Sequence, residues 1–399
     1  MCGQQYDFDE KIDRKNTDSL KYDFAERKGM PSDILPLWVA DMDFRTSNLV
    51  LEELHNRVEH GIFGYTESGD EYFQAVRSWM NRRHGWDVER RWLVKTPGIV
   101  YALAMAVQAY TEPGDAVLIQ QPVYYPFLEV ITNNDREPVN NSLVLGDDGI
   151  YHMDLADFER KVVENKVKLF LLCSPHNPVS RVWTVEELAA LAEICIRHDV
   201  IVVSDEIHQD FVFDGHRHHV FATVSEELKQ RVVICTSPSK TFNLAGLQVS
   251  NIFIPDSHLR HKFKKRVAAS GYSQLNTLGL TACQAAYQYG EEWLEKLKVY
   301  LKGNLDYLRE FIQTRLPGVR MIEPEGTYLI WVDFRGTGKS VDEINRIIVN
   351  EAKLWLDSGE LFGASGEGFQ RINIACLRSV LEEALESLAQ AFCSLESPA

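Results

Sequence analysis

The chain has 399 residues, enough for two or three core-forming units or for one large domain with a smaller one. Hydrophobic residues make up 45% and charged residues 25%, the balance of an ordinary globular protein rather than a fibrous or low-complexity chain. A formal net charge of −16 and a pI near 5.3 argue against nucleic acid or an anionic membrane as a main partner.

The opening stretch MCGQQYDFDEKIDRK has no apolar core, so no secretory leader is expected. The uncharged, mostly apolar stretch Thr96 to Thr111 falls short of the roughly 20 apolar residues that span a bilayer. The seven cysteines are scattered, odd in number and without a CxxC pair, which fits reduced thiols and a cytoplasmic protein. Cys173 and Cys235 fall inside apolar runs and read as core residues.

In chain order, residues 1–47 are irregular and end in ILPLWVADMDF. Amphipathic helices are expected over 48–60 and about 70–84, with the glycine-punctuated loop GIFGYT between them. Thr96 and Pro97 resemble an N-cap and first-turn pair opening a helix from Gly98 to Tyr110. Strands are expected at 116–120, 168–173, 200–204 and 231–236, with a helix from Val185 to His198. Short apolar runs at this spacing predict an α/β fold with a mainly parallel sheet covered on both faces. Helical patterns dominate 257–315. MIEPEGTYLIWVDF, a helix near 341–357, FQRINIAC and a last helix then read as a smaller α/β unit.

Three polar positions, Asn177, Asp205 and Lys240, each lie just beyond the end of an expected strand. In an open parallel sheet, ligands bind along that edge. Lys240 follows a buried strand and the small hydroxyl residues of SPS, where desolvation favours the neutral, nucleophilic amine. The helix start at Gly98, Ile99 and Val100 offers free N–H groups to an anion. An amine, a carboxylate, an amide and an anion cradle are the groups that pyridoxal phosphate requires.

SPSKTFNLAG, with HNP 63 residues and SDEIH 35 residues before Lys240 when counted from Asn177 and Asp205, resembles the pattern of class I and II aminotransferases and their fold-type I relatives. The resemblance covers about Trp38 to Arg371. It implies a pyridoxal phosphate enzyme in which Lys240 joins the cofactor aldehyde and Asp205 pairs with the ring nitrogen. It also implies that Asn177 bonds the phenolate oxygen, while Ser237, Ser239 and the amides of Gly98 to Val100 hold the phosphate. Tyr124 matches the aromatic that stacks on the ring near the substrate, with Tyr125 its neighbour and alternative. Tyr65 corresponds to a tyrosine that reaches the phosphate from the second subunit of a homodimer. Arg371 matches the arginine that binds the substrate α-carboxylate, and Arg378 is the other candidate. The implied layout is a large cofactor-binding domain at 48–288 and a small one at 289–399, joined by segment 1–47.

Two positions depart from the aminotransferase pattern. Gln248 stands where an arginine usually faces the phosphate, and His208 replaces a tyrosine three positions after Asp205. His208 either bonds the phenolate oxygen or packs under Asp205. Both departures, with WVADMDF, GYT and SDEIH, resemble the MalY/PatB-type carbon–sulfur β-lyases, cystathionine β-lyase among them. That branch implies α,β-elimination of a cysteine S-conjugate to pyruvate, ammonia and a thiol. An aminotransferase using the same residues is the alternative, and a regulatory binding protein on this fold is the third reading. No metal site is expected: His216, His218 and His219 sit in a charged stretch, DGHRHH, that reads as a solvated loop.

Overall fold

A computed structural model describes residues 6–393, so Cys2 and the extreme ends of the two terminal segments lie outside it, as does the side chain of Cys393. The apolar runs assemble into one seven-stranded sheet in the order Leu93–Thr96, Ser250–Phe253, Val232–Thr236, Ile201–Asp205, Leu169–Cys173, Ala116–Ile119, Glu137–Asn140. The strands from Val232–Thr236 to Glu137–Asn140 are all parallel, and Ser250–Phe253 runs against both of its neighbours. Alternate residues face opposite cores. Val117, Ile119, Leu169 and Leu171 join one apolar cluster, whereas Ala116, Leu118, Phe170 and Leu172 join the other. Burial on both faces explains why these runs carry no polar alternation. The helix Val185–Arg197 crosses between two parallel strands and starts with a reciprocal cap between Thr184 and Glu187.

A second sheet is antiparallel, in the order Arg320–Met321, Leu329–Asp333, Phe369–Asn373, Asp357–Ser358. The helices Glu291–Arg315 and Arg378–Cys393 accompany it. The larger apolar cluster runs without a break from the first sheet to this one.

The structure corrects several expected elements. Thr96 closes the strand Leu93–Thr96 rather than capping a helix, and Gly98 stands at the start of helix Ile99–Tyr110. The strands Leu93–Thr96, Glu137–Asn140 and Ser250–Phe253 were not expected. Each is only four residues long. The helix near 341–357 stops by Glu351. Lys353 takes a left-handed φ of 55°, and Leu354–Trp355 turns into a strand beside Leu35–Pro36. Helical stretch 257–315 divides into Ser257–Ala269, Thr277–Tyr289 and Glu291–Arg315.

Segment 6–47 is largely irregular but tightly held. The Lys21 side chain is fully buried, with Nζ 2.8 Å from Asp43 Oδ2, and Arg14 reaches Asp43 at 2.7 Å and Asp41 at 2.6 Å. Asn243 Nδ2 donates to the carbonyls of Met42 and Phe44, and Asn373 Nδ2 to those of Val39 and Asp41. Removing one partner of a buried pair leaves the other charge without full compensation. Lys21→Met should therefore destabilise the protein by about 3 kcal/mol, the low end of that effect because Arg14 still serves Asp43. Chemical denaturation of the two proteins checks this.

Candidate active site

Sheet polarity gathers the polar residues. Asp205 ends its strand, and Cys173 ends the neighbouring strand four residues before Asn177. Lys240 lies in the short helix Pro238–Thr241 just past Thr236. Because Ser250–Phe253 runs the opposite way, its first residue, opposite Thr96, lies at the same edge. A cavity of 160 Å³ opens there, lined by Gly98, Ile99, Val100, Tyr124, Asn177, Asp205, His208, Ser237, Ser239 and Lys240 together with Ala40, Gln248 and Ser250.

Local bonds set each side chain. Ser237 Oγ caps the lysine's helix by accepting from Ser239 N at 3.1 Å, and it lies 2.7 Å from the Val249 carbonyl. Thr241 donates to Asp210, which also meets His84 at 3.1 Å, so the helix is pinned from beneath. The Tyr124 N–H donates to the Asn177 carbonyl at 3.0 Å, tying the two turns together. Asn177 Oδ1 accepts from Arg371 Nη1 at 3.0 Å, which leaves the amide NH2 as its donor.

Burial dominates the electrostatics. Asp205 is pushed up to about 7 by desolvation, against the opposing pull of the Ile207 N–H and of Lys240. Lys240 is pulled down to about 8, again chiefly by desolvation; Asp41 opposes that shift and Arg371 adds to it. Its Nζ donates to the Ala40 carbonyl at 2.6 Å. His208 is held down to about 3 by burial and then by the positive charge of Lys240 and Arg371. It is therefore neutral, with its Nδ1 buried and without a partner among the described residues.

These groups fit pyridoxal phosphate. A buried carboxylate raised to about 7 lacks a counterion that a cationic ring nitrogen would supply. The helix Ile99–Tyr110 has no side-chain cap on its first N–H groups, and a Cβ built on Gly98 meets no atom within 4 Å. Ser250 Oγ is a buried hydroxyl in the cavity wall without a partner among the described residues. Sequence reasoning missed Ser250 because its strand was missed. It also missed Tyr328, whose hydroxyl shares the Ala40 carbonyl with Lys240 at 3.2 Å.

Two expected residues do not line the cavity. Arg371, 2% exposed, stands behind Asn177 and bonds the Trp38 carbonyl and Asp357. Tyr65 is 98% exposed, in a groove that shares Gln248 with the cavity. Arg378 lies elsewhere, on Asn304 and the Tyr307 ring. The DGHRHH stretch is not wholly solvated, since His218 is buried against Glu206 at 2.9 Å. Among the described residues no cluster of three or more His, Cys, Asp or Glu could hold a metal ion.

The charge pattern has a testable sign. A carboxyl raised in the folded state adds stability below its unfolded pKa near 4 and loses it as pH rises through about 7. Cofactor-free Asp205→Asn should therefore be more stable than the native sequence by about 2–4 kcal/mol at neutral pH. The two should converge near pH 4. Urea denaturation at both pH values checks it.

Comparison with known proteins agrees with this geometry. A family model described as "Aminotransferase class I and II" matches residues 32–388. Cystathionine beta-lyase PatB of Bacillus subtilis is 44% identical over 384 residues, covering 96% of this chain and 99% of that protein. Protein MalY of Escherichia coli is 32% identical, covering 97% and 98%. The crystal structure of cystalysin from Treponema denticola, which contains a pyridoxal 5'-phosphate cofactor, superposes with a TM-score of 0.95 at 37% identity, covering 98% of this chain and all of that one. The chain belongs to the class I and II aminotransferase family and has the fold-type I architecture of its pyridoxal phosphate enzymes.

Proposed function

We propose that the protein is a pyridoxal phosphate-dependent carbon–sulfur β-lyase that converts L-cystathionine or a related cysteine S-conjugate to pyruvate, ammonia and a thiol. The observation that carries the reading is the single cavity holding Lys240, Asp205, Asn177 and an uncapped helix start, in a chain 44% identical to a cystathionine β-lyase.

Bound pyridoxal phosphate supplies an electrophilic aldehyde and a cationic ring that accepts the electron pair released at Cα. Lys240, lowered to about 8, is neutral in only about a tenth of molecules at pH 7 but far more often than an ordinary lysine, and can serve as nucleophile and then as general base at Cα–H. The Ala40 carbonyl gives its ammonium form a place to rest. Asp205 holds the ring nitrogen in its protonated form, and the Asn177 NH2 group donates to the phenolate oxygen. Tyr124, in the cavity wall, would offer its aromatic face to the ring. Ser239 and the N–H groups of Gly98, Ile99 and Val100 hold the phosphate, and Ser237 acts mainly by capping the lysine's helix. Gln248 brings no charge to that end of the cavity, so the helix start carries more of the phosphate binding. Neutral His208 borders the cofactor, and Arg371 receives the substrate carboxylate, fixing the angle of the Cα–H bond.

We read the large unit as 48–288 and the small one as 289–399, joined by segment 1–47. The active form is a homodimer in which Tyr65 reaches the partner's phosphate. Its exposure, with that of Ile62 at 66% and Phe63 at 58%, supports this because a loop tip so apolar is unusual on a free surface. A cytoplasmic setting is supported by five cysteines, Cys173, Cys195, Cys235, Cys283 and Cys376, that are free thiols. No helix among the described residues is long and apolar enough to cross a membrane.

With cystathionine and no keto acid, the enzyme should turn over many times, releasing pyruvate, ammonia and thiol in equal amounts. A single equivalent of product, with turnover restored by 2-oxoglutarate, would identify an aminotransferase instead. Lys240→Ala should remove both this turnover and covalent cofactor attachment.

Subunit sharing has its own check. Mixing inactive Tyr65→Ala with inactive Lys240→Ala should restore activity, because one of the two sites in a mixed dimer receives both native residues. Heterodimers that form and stay inactive would place Tyr65 outside the partner's site.

A further inference from the structure

Arg371 does not wait for a substrate as a bare cation. Asp357 is its register partner on the adjacent antiparallel strand, which puts both side chains on one face. Nη2 bonds both Asp357 Oδ2 and the Trp38 carbonyl, Nη1 bonds Asn177, and Nε is buried without a partner among the described residues. Phe362 covers the guanidinium, 4.9 Å from its ring centroid. The pair is 2% and 4% exposed in its side chains, so neither charge is screened by solvent. A substrate carboxylate arriving here must share one guanidinium with a carboxylate that is already present, and like charges at such a distance repel strongly in a dry site.

We propose that Asp357 is a positioning and affinity-setting residue for Arg371: it orients the guanidinium before substrate arrives and takes up one proton from solvent as the substrate carboxylate seats. The inference rests on the reading that Arg371 is the carboxylate receptor. Burial raises the pKa of Asp357 and only Arg371 opposes it, so substrate binding weakens the single interaction that keeps Asp357 ionised. The other titratable groups facing it are the Tyr124 and Tyr125 phenols of the turn after Ile119. Both are held above their ordinary range by burial and stay neutral. Protonated Asp357 can still accept a bond from Nη2, so the guanidinium keeps its orientation while losing a competitor.

The test uses the holoenzyme and 3-(methylthio)propionate, a carboxylate with sulfur at the matching position and no amine to react at Lys240. Calorimetry at neutral pH in two buffers of different ionisation enthalpy should show proton uptake on binding to the native enzyme. Asp357→Asn keeps the shape and the acceptor and removes the charge. It should bind the probe roughly tenfold tighter or more, with no proton uptake, and should lower KM for an S-alkyl cysteine by more than it changes kcat. Asp357→Glu should retain the uptake. Absence of uptake in the native enzyme, or an Asp357→Asn affinity equal to or below native, would overturn the proposal. The native measurement stands without any variant. If Arg371→Ala binds the probe as the native enzyme does, the receptor assignment itself fails, an outcome distinct from failure of the Asp357 inference.

Discussion

One backbone carbonyl, that of Ala40, accepts the Lys240 ammonium at 2.6 Å and the Tyr328 hydroxyl at 3.2 Å. Its neighbours are engaged in the same way. Arg371 takes the Trp38 carbonyl, Asn373 those of Val39 and Asp41, and Arg14 and Asn243 that of Met42. A stretch with no strand or helix of its own must satisfy its buried polar groups through side chains, and here those side chains come from three distant parts of the chain. WVADMDF is thus the piece against which the lysine helix, Arg371 and the second sheet are all aligned. The Asp41 and Asp43 carboxylates, anchored by Arg14 and buried Lys21, fix it from the other side.

The cavity places charges where water cannot compensate them, and each imbalance points toward a ligand. Asp205 at about 7 and Lys240 at about 8 are both displaced toward neutrality by desolvation. A cationic ring nitrogen would favour the first as a carboxylate. An aldehyde would meet the second as a neutral amine. Arg371, by contrast, has its counterion already in place in Asp357. On the proposed reading, the cofactor end of the site is completed by binding, while the substrate end exchanges one carboxylate for another.

Most of this was legible where sequence pattern and physical cause coincide. Apolar runs at 116–120, 168–173, 200–204 and 231–236 had to be buried on both faces, and the polar residue after each had to lie at one edge. Spacing alone brought Asn177, Asp205 and Lys240 together. Ser250–Phe253 was illegible because four residues following a turn carry too short a period, and Ser250 was missed with it. Tyr328 was hidden for another reason: a tyrosine inside an apolar run reads as core, and only tertiary packing brings its hydroxyl to Ala40. The Thr96–Pro97 pair looks like a helix cap, yet Thr96 bonds in register with Ser250 as the end of a strand. Asp357 was lost inside an expected helix. Leu354 and Leu356 alternate like a strand, but the helical pattern ahead of them hid that signal until Lys353 reversed the chain.

Position 248 shows how loss of one charge can be accommodated. Gln248 adopts a left-handed φ of 49° at the end of a short turn and borders both the cavity and the groove that holds Tyr65. An arginine there would add a permanent cation close to Lys240, and a further positive charge depresses the lysine's pKa still more. Gln248 leaves that depression to burial and to Arg371. On the proposed reading, the phosphate depends on directed dipoles and hydroxyls: the uncapped start of Ile99–Tyr110, Ser239, Ser250 and, in the proposed dimer, the partner's tyrosine. Such groups bind through geometry rather than net charge, so they require a rigid frame. The helix Ile99–Tyr110, packed against the sheet through Ala102, Leu103, Ala106 and Val107, provides that frame.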